Sequence, residues 1–180
     1  MPAPIAIHRY ADIATGEALH AGLDAVFFES SNTQSFESAA HRATFRERWL
    51  GRYLAHDPGL VFVALDPQAR VAGYIAGSVD DPAIAPRFAD IGYFAAFKDL
   101  TWRYPAHLHV NIDPEFRGQG LGGRLIDTFA IAARQAGAPG VHVVTSRGAR
   151  NVVFYTRNGF AEAGAAGEGA REVVFLARGL

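Results

Sequence analysis

The sequence predicts a single α/β domain built on one mixed sheet, over residues 1–180. Hydrophobic periods along the chain run strand, helix, helix, strands, helix, strand, helix, strands. A chain of 180 residues buries roughly 70% of its unfolded surface, and a 49% hydrophobic content supplies the core. No internal repeat and no linker of biased composition divides it.

Residues 4–9 read as a first strand. Asp12 or Thr15 is expected to open a helix carrying Leu19, Leu23, Val26 and Phe27 at helical spacing. Phe45, Trp49, Tyr53 and Leu54 mark a second helical stripe, stopped at Asp57-Pro58-Gly59. Residues 60–65 and 71–79 form a hairpin around Asp66-Pro67-Gln68-Ala69. Residues 80–104 hold Phe88, Tyr93, Phe94, Phe97, Trp102 and Tyr104 without plain periodicity, and two readings stand: extra core packing, or an aromatic wall for a substrate pocket. Side chains alternate along the strand at 106–113, so Leu108, Val110 and Ile112 share one face, and His107, His109, Asn111 and Asp113 the other. A helix from about Gly120 buries Leu121, Leu125, Phe129, Ala132 and Ala133, and ends at Gly137 ahead of Pro139. Residues 141–145 form a strand, and 151–158 a short helix closed by Gly159. Two final strands follow from Phe160, with a hairpin tip at 163–170 and the last strand at 172–178.

A net charge of −1 gives no bulk attraction to nucleic acid or anionic membranes. The absence of cysteine removes disulfides, thiolate nucleophiles and cysteine-type zinc sites, and suits a reducing compartment. No apolar run reaches the roughly 18 residues of a membrane span. The N-terminus has no charged region followed by an apolar stretch, so no export signal is expected and the cytoplasm is the default location. His107 and His109, two apart on a strand, lack a third ligand in the sequence, so no metal is expected.

The segment Arg117-Gly118-Gln119-Gly120-Leu121-Gly122-Gly123 joins the strand at 106–113 to an amphipathic helix. Glycines adopt positive φ and let a ligand approach the backbone. The first N–H groups of the helix have no intrahelical partner and, with its dipole, make an anion site suited to a pyrophosphate. Arg117 adds positive charge at the entrance. The same residues spell G-x-G-x-x-G, which raises a dinucleotide fold. That reading fails: only 57 residues follow Gly123, too few for most of a doubly wound sheet, and residues 136–144 lack the ribose-binding acid.

Arg117-x-x-Gly120-x-Gly122 resembles the acyl-CoA signature R/Q-x-x-G-x-G/A of the GNAT N-acetyltransferases. Val110-Asn111-Ile112-Asp113-Pro114-Glu115-Phe116 is similar to that family's preceding strand and turn. Asn151-Val152-Val153-Phe154-Tyr155-Thr156-Arg157-Asn158-Gly159-Phe160 resembles its second motif, N-V-x-F-Y-x-x-x-G-F. The likeness covers residues 105–160. Tyr104-Pro105-Ala106-His107-Leu108-His109 further resembles bacterial acetyltransferases related to the acetyltransferase-like domain attached to some O-GlcNAc hydrolases.

The resemblance implies a mostly antiparallel central sheet flanked by helices, with the fourth and fifth strands splayed apart. It implies acetyl-CoA as donor and transfer of the acetyl group to an amine of a small molecule or peptide, by direct attack in a ternary complex. The pyrophosphate would sit on backbone N–H groups of Gly118, Gln119, Gly120, Leu121, Gly122 and Gly123, beside Arg117, and pantetheine would pair along Val110, Asn111 and Ile112. Asn151 and Phe154 would line the pantetheine or acetyl end. Many relatives carry that asparagine seven residues before the tyrosine, where this chain has Gly148; Asn151 stands four before. Tyr155 is the expected acid for the departing thiolate. His109 is the expected base, with His107 either a second candidate or a structural histidine. Arg147 and Arg150 are candidates for the 3′-phosphate of CoA. A non-catalytic acyl-CoA-binding or interaction domain and a protein-lysine acetyltransferase remain as alternatives. Edge strands permit a homodimer without requiring one.

Overall fold

The computed structural model describes residues 5–180, so Pro4 of the expected first strand lies outside them. The chain folds as two compact units, each discontinuous in sequence. The first holds the residues up to Gly77 together with His109–Phe129; the second holds Ser78–Leu108 and Ala130–Leu180.

In the first unit, β1 (Ala6–Arg9) pairs antiparallel with β2 (Val61–Leu65), and β2 with β3 (Val71–Ser78). The β2–β3 turn forms because both backbone N–H groups of Gln68 and Arg70 donate to Asp66 Oδ1, at 2.9 and 2.8 Å. Gly73 lets β3 take β4 (Ala106–Ile112) alongside, since a Cβ there would fall 2.9 Å from the Asn111 carbonyl oxygen and 2.7 Å from Ile112 Cδ1. Helix α1 (Glu17–Ser30) buries Leu23, Val26 and Phe27. It does not open at Asp12 or Thr15. Tyr10–Asp12 closes into a 3-10 turn, Ile13 is extended, and the helix starts behind Gly16 without a side-chain cap. Helix α2 (Ala39–Arg46) is capped by Ser38, whose hydroxyl accepts from His41 N at 3.1 Å. A π-turn, Glu47–Gly51, links it to α3 (Arg52–His56), and Asp57 ends the run as the sequence indicates.

In the second unit, residues 78–104 form a 3-10 turn (Pro86–Phe88) and two single-turn helices, α4 (Tyr93–Ala96) and α5 (Lys98–Thr101). Phe88, Phe94 and Phe97 are buried, so core packing accounts for these three; Trp102 is 67% exposed. The first half of β4 pairs parallel with β5 (Gly140–Ser146), through Ala106 with Val141 and His107 with His142. Strand β7 (Val173–Gly179) pairs antiparallel with both β5 and β6 (Ala161–Ala166). The hairpin tip is therefore shorter than the sequence suggests, because β6 runs on to Ala166, with a bulge at Ala163, and the turn falls at 167–172. Phe97 packs on Phe175, ring centroids 5.1 Å apart, with Leu100, Tyr104, Val144 and Val173 around them. Helix α7 spans Asn151–Arg157, and Gly159 follows it at φ +84°.

The unit boundary runs through β4 and through α6 (Leu121–Gln135), which buries Leu121, Leu125, Ile126, Phe129 and Ala133. The strand order is β1-β2-β3-β4-β5-β7-β6. The fold is the mixed, mostly antiparallel sheet with flanking helices that the motifs imply.

Candidate active site

The predicted residues fall in both units. His109, Val110, Asn111, Ile112 and the whole turn from Arg117 to Gly123 belong to the first; Asn151, Phe154 and Tyr155 belong to the second.

Burial along β4 changes midway. Ala106–Leu108 are buried, whereas His109–Ile112 are only half-buried. Asp113 then leaves the strand and caps a 3-10 turn, Pro114–Phe116, its Oδ1 accepting from Glu115 N at 2.9 Å; it is the turn residue its place before proline suggests. Gly118 and Gly120 both stand at φ +76°, where a side chain would be strained, and the helix opens immediately behind them. The bond from Arg124 N to the Gly120 carbonyl begins the ladder, so the amides of Leu121, Gly122 and Gly123 precede it. Residues 117–120 are exposed. Gln119 Nε2 donates to the Glu115 carbonyl at 3.1 Å and ties the turn to its base. The Arg117 side chain bends back: its Nε donates to the Ile112 carbonyl at 3.0 Å, a carbonyl that also accepts from Ser30 Oγ. Arg117 thus fixes the end of β4 while its charge stays beside the glycine turn.

The half-buried stretch of β4 meets tyrosines from β3 and α3. Asn111 Nδ2 donates to Tyr74 Oη at 2.7 Å, so this side chain is committed to the protein. Tyr74 is fully buried, and burial pushes its phenol pKa up. His109 meets the rings of Trp49 and Tyr53, with centroids at 5.2 and 5.4 Å, and its Nε2 is 3.2 Å from Tyr53 Oη. Burial, and secondarily the charge of Arg52, push the His109 pKa from 6.5 down to about 4. Trp49, Tyr53 and Tyr74 are the neighbours of the candidate residues that the sequence hides. Trp49 and Tyr53 repeat every four positions from Phe45, which reads as an ordinary buried stripe.

In the second unit, Asn151 Oδ1 accepts from Thr145 Oγ1 at 2.9 Å, which joins the start of α7 to β5. Phe154 is half-buried and stands 5.2 Å from the ring of Tyr155. Tyr155 is 6% exposed, meets Phe160 edge-on, and has its phenol pKa raised by burial. His107 is 2% exposed and packs against Phe88 and Phe94. Its Nδ1 lies 3.3 Å from the Pro105 carbonyl, an acceptor only, so that nitrogen carries the proton. His142 does the same with the Tyr104 carbonyl and stacks on Phe175 at 4.3 Å. These are packing histidines. Arg147, a candidate for the 3′-phosphate, is paired with two carboxylates, Nη2 to Glu162 Oε1 at 2.8 Å and Nε to Glu172 Oε2 at 2.7 Å. Among the described residues no cluster of three or more metal-binding side chains occurs, and no helix is long and apolar enough to cross a membrane.

Comparison with known proteins agrees with this fold. The structure called SsHAT aligns over 97% of this chain and 98% of its own, with a TM-score of 0.73 and 22% identity. An agmatine N-acetyltransferase aligns over 98% and 99%, with a TM-score of 0.63 and 17% identity. An acetyltransferase structure from Bacillus anthracis, in complex with acetyl coenzyme A, aligns over 67% of this chain and 61% of its own, with a TM-score of 0.50 and 18% identity. At these identities the likeness is one of fold. The family model described as an acetyltransferase (GNAT) domain matches residues 57–162, more than half of the chain, which takes in β2 to β5, the glycine turn and α7. The chain belongs to the GNAT acetyltransferase family, whose acyl donor is acetyl-CoA.

Proposed function

We propose that this acetyltransferase moves the acetyl group of acetyl-CoA to an amine of a small molecule or peptide, by direct attack in a ternary complex. One observation carries the reading: the Arg117–Gly123 turn is fully built, with two positive-φ glycines and a helix start directly behind them. Its amides take the pyrophosphate, and Val110, Asn111 and Ile112 offer backbone to pantetheine. The half-burial of those three residues supports that assignment. Asn151 and Phe154 serve the acyl end.

In the reaction the amine nitrogen attacks the thioester carbon. The C–N bond forms, the C–S bond breaks, and the nitrogen becomes strongly acidic as it bonds to carbon. A weak base then suffices to take its proton. His109 is that base: a pKa of about 4 keeps it neutral at pH 7. Tyr155, whose raised pKa keeps the phenol protonated, donates to the departing sulfur. The proton on His109 passes to solvent and the Tyr155 oxygen recovers one from solvent, so the net change is one proton moved from amine to thiol.

A thiol-release assay with acetyl-CoA and a panel of amines (tryptamine, agmatine, spermidine, glucosamine and a lysine peptide) tests the proposal. Turnover with at least one acceptor is expected. With that acceptor Tyr155→Phe lowers kcat by roughly 100-fold while the KM for acetyl-CoA stays unchanged. A wild-type kcat for the variant retires Tyr155 as the acid.

A further inference from the structure

In the first unit one helical segment brings two aromatic rings to His109. The π-turn Glu47–Gly51 carries Trp49, whose ring meets the imidazole at an interplanar angle of 81°. Tyr53 follows in α3, fully buried, with its ring at 66° to the imidazole and its hydroxyl on Nε2. π-Turns are uncommon and gather at functional sites. The charged group beside the imidazole is Arg52, on the same helix. Nε2 is therefore occupied by a protein partner, and only Nδ1 is left to meet a substrate. An imidazole whose Nδ1 accepts a proton must carry its own hydrogen on Nε2.

We propose that Tyr53 is the positioning residue for His109: its hydroxyl oxygen accepts the Nε2 hydrogen, holds the ring in the Nε2–H tautomer, and turns the Nδ1 lone pair to the acceptor amine. This rests on His109 being the base. The amine proton lands on Nδ1 as the C–N bond forms and leaves from there to solvent. Tyr53 keeps its own proton throughout. The arrangement follows the general logic of a base oriented by a third group.

Two measurements on the full chain test this. Nitrogen-15 NMR of the histidine rings at pH 7, with the His109 signals assigned by their loss in His109→Gln, is expected to show the Nε2–H pattern. An Nδ1–H pattern overturns the proposal. In the thiol-release assay, with the fastest amine of the panel, Tyr53→Phe is expected to lower kcat about tenfold at unchanged KM for acetyl-CoA. In the His109→Gln background the same substitution changes nothing further. An equal loss in both backgrounds shows that Tyr53 acts by packing alone and overturns its role, while leaving His109 as the base. A wild-type rate for His109→Gln alone removes the base itself, and the role of Tyr53 falls with it.

Discussion

At neutral pH His109 carries no charge, because enclosure and the nearby Arg52 make the imidazolium form costly. The sign of the consequence follows. The unfolded chain binds a proton on this residue near pH 6.5 and the folded chain near pH 4, so the neutral ring costs stability as pH falls through that window. In kinetics the same shift removes His109 as the source of a limb near pH 6.5. Any rise in kcat/KM between pH 5 and 8 tracks the ionisation of the acceptor, and moves when a less basic amine is used. A limb fixed near pH 6.5 for every amine contradicts this. Alternation along β4 gives His107 and His109 equal standing, and the structure separates them through partners distant in sequence. Tyr53, 56 positions from His109, gives one histidine a hydroxyl. Phe88 and Phe94 turn the other into core. No spacing rule reaches contacts of that range.

Elements were legible where their requirements are local. The glycine turn needs positive φ at Gly118 and Gly120 and a helix directly behind, and each need has a residue type that announces it. The π-turn has no such mark, since one extra residue in a helix leaves the Phe45–Trp49–Tyr53 spacing intact. Helices α4 and α5 are four residues each, too short to show a period, so residues 80–104 look irregular while burying three phenylalanines. The β2–β3 turn carries a local conflict: Ala69 is the one non-glycine residue at positive φ among the described residues, at +62°. Its backbone N–H still donates to the Asp66 carbonyl at 2.9 Å, so the turn is kept despite the strain. Ala69→Gly is expected to raise stability by about 0.5–1 kcal/mol, the relief of the left-handed alanine less the extra freedom of the unfolded glycine. Urea denaturation measures it, and an unchanged or lower midpoint contradicts the account.

For the molecule as a whole, composition bounds the chemistry without choosing the acceptor. The absence of cysteine removes thiol catalysis by this chain, in agreement with the acyl transfer of the family. The family could be read from residues 105–160 because the acyl donor is the same across it and imposes one backbone geometry on the turn. The surroundings of His109 come instead from side chains such as Trp49 and Tyr53, which a stripe of ordinary core residues conceals. The central claim is therefore the donor site, and calorimetric titration with acetyl-CoA, with NAD as the control, tests it most directly. Saturable binding of acetyl-CoA alone is predicted, lost in Gly120→Glu, where a charged side chain enters a positive-φ position at the anion site while circular dichroism stays native. Absence of acetyl-CoA binding by the wild-type chain, or undiminished binding by Gly120→Glu, contradicts it.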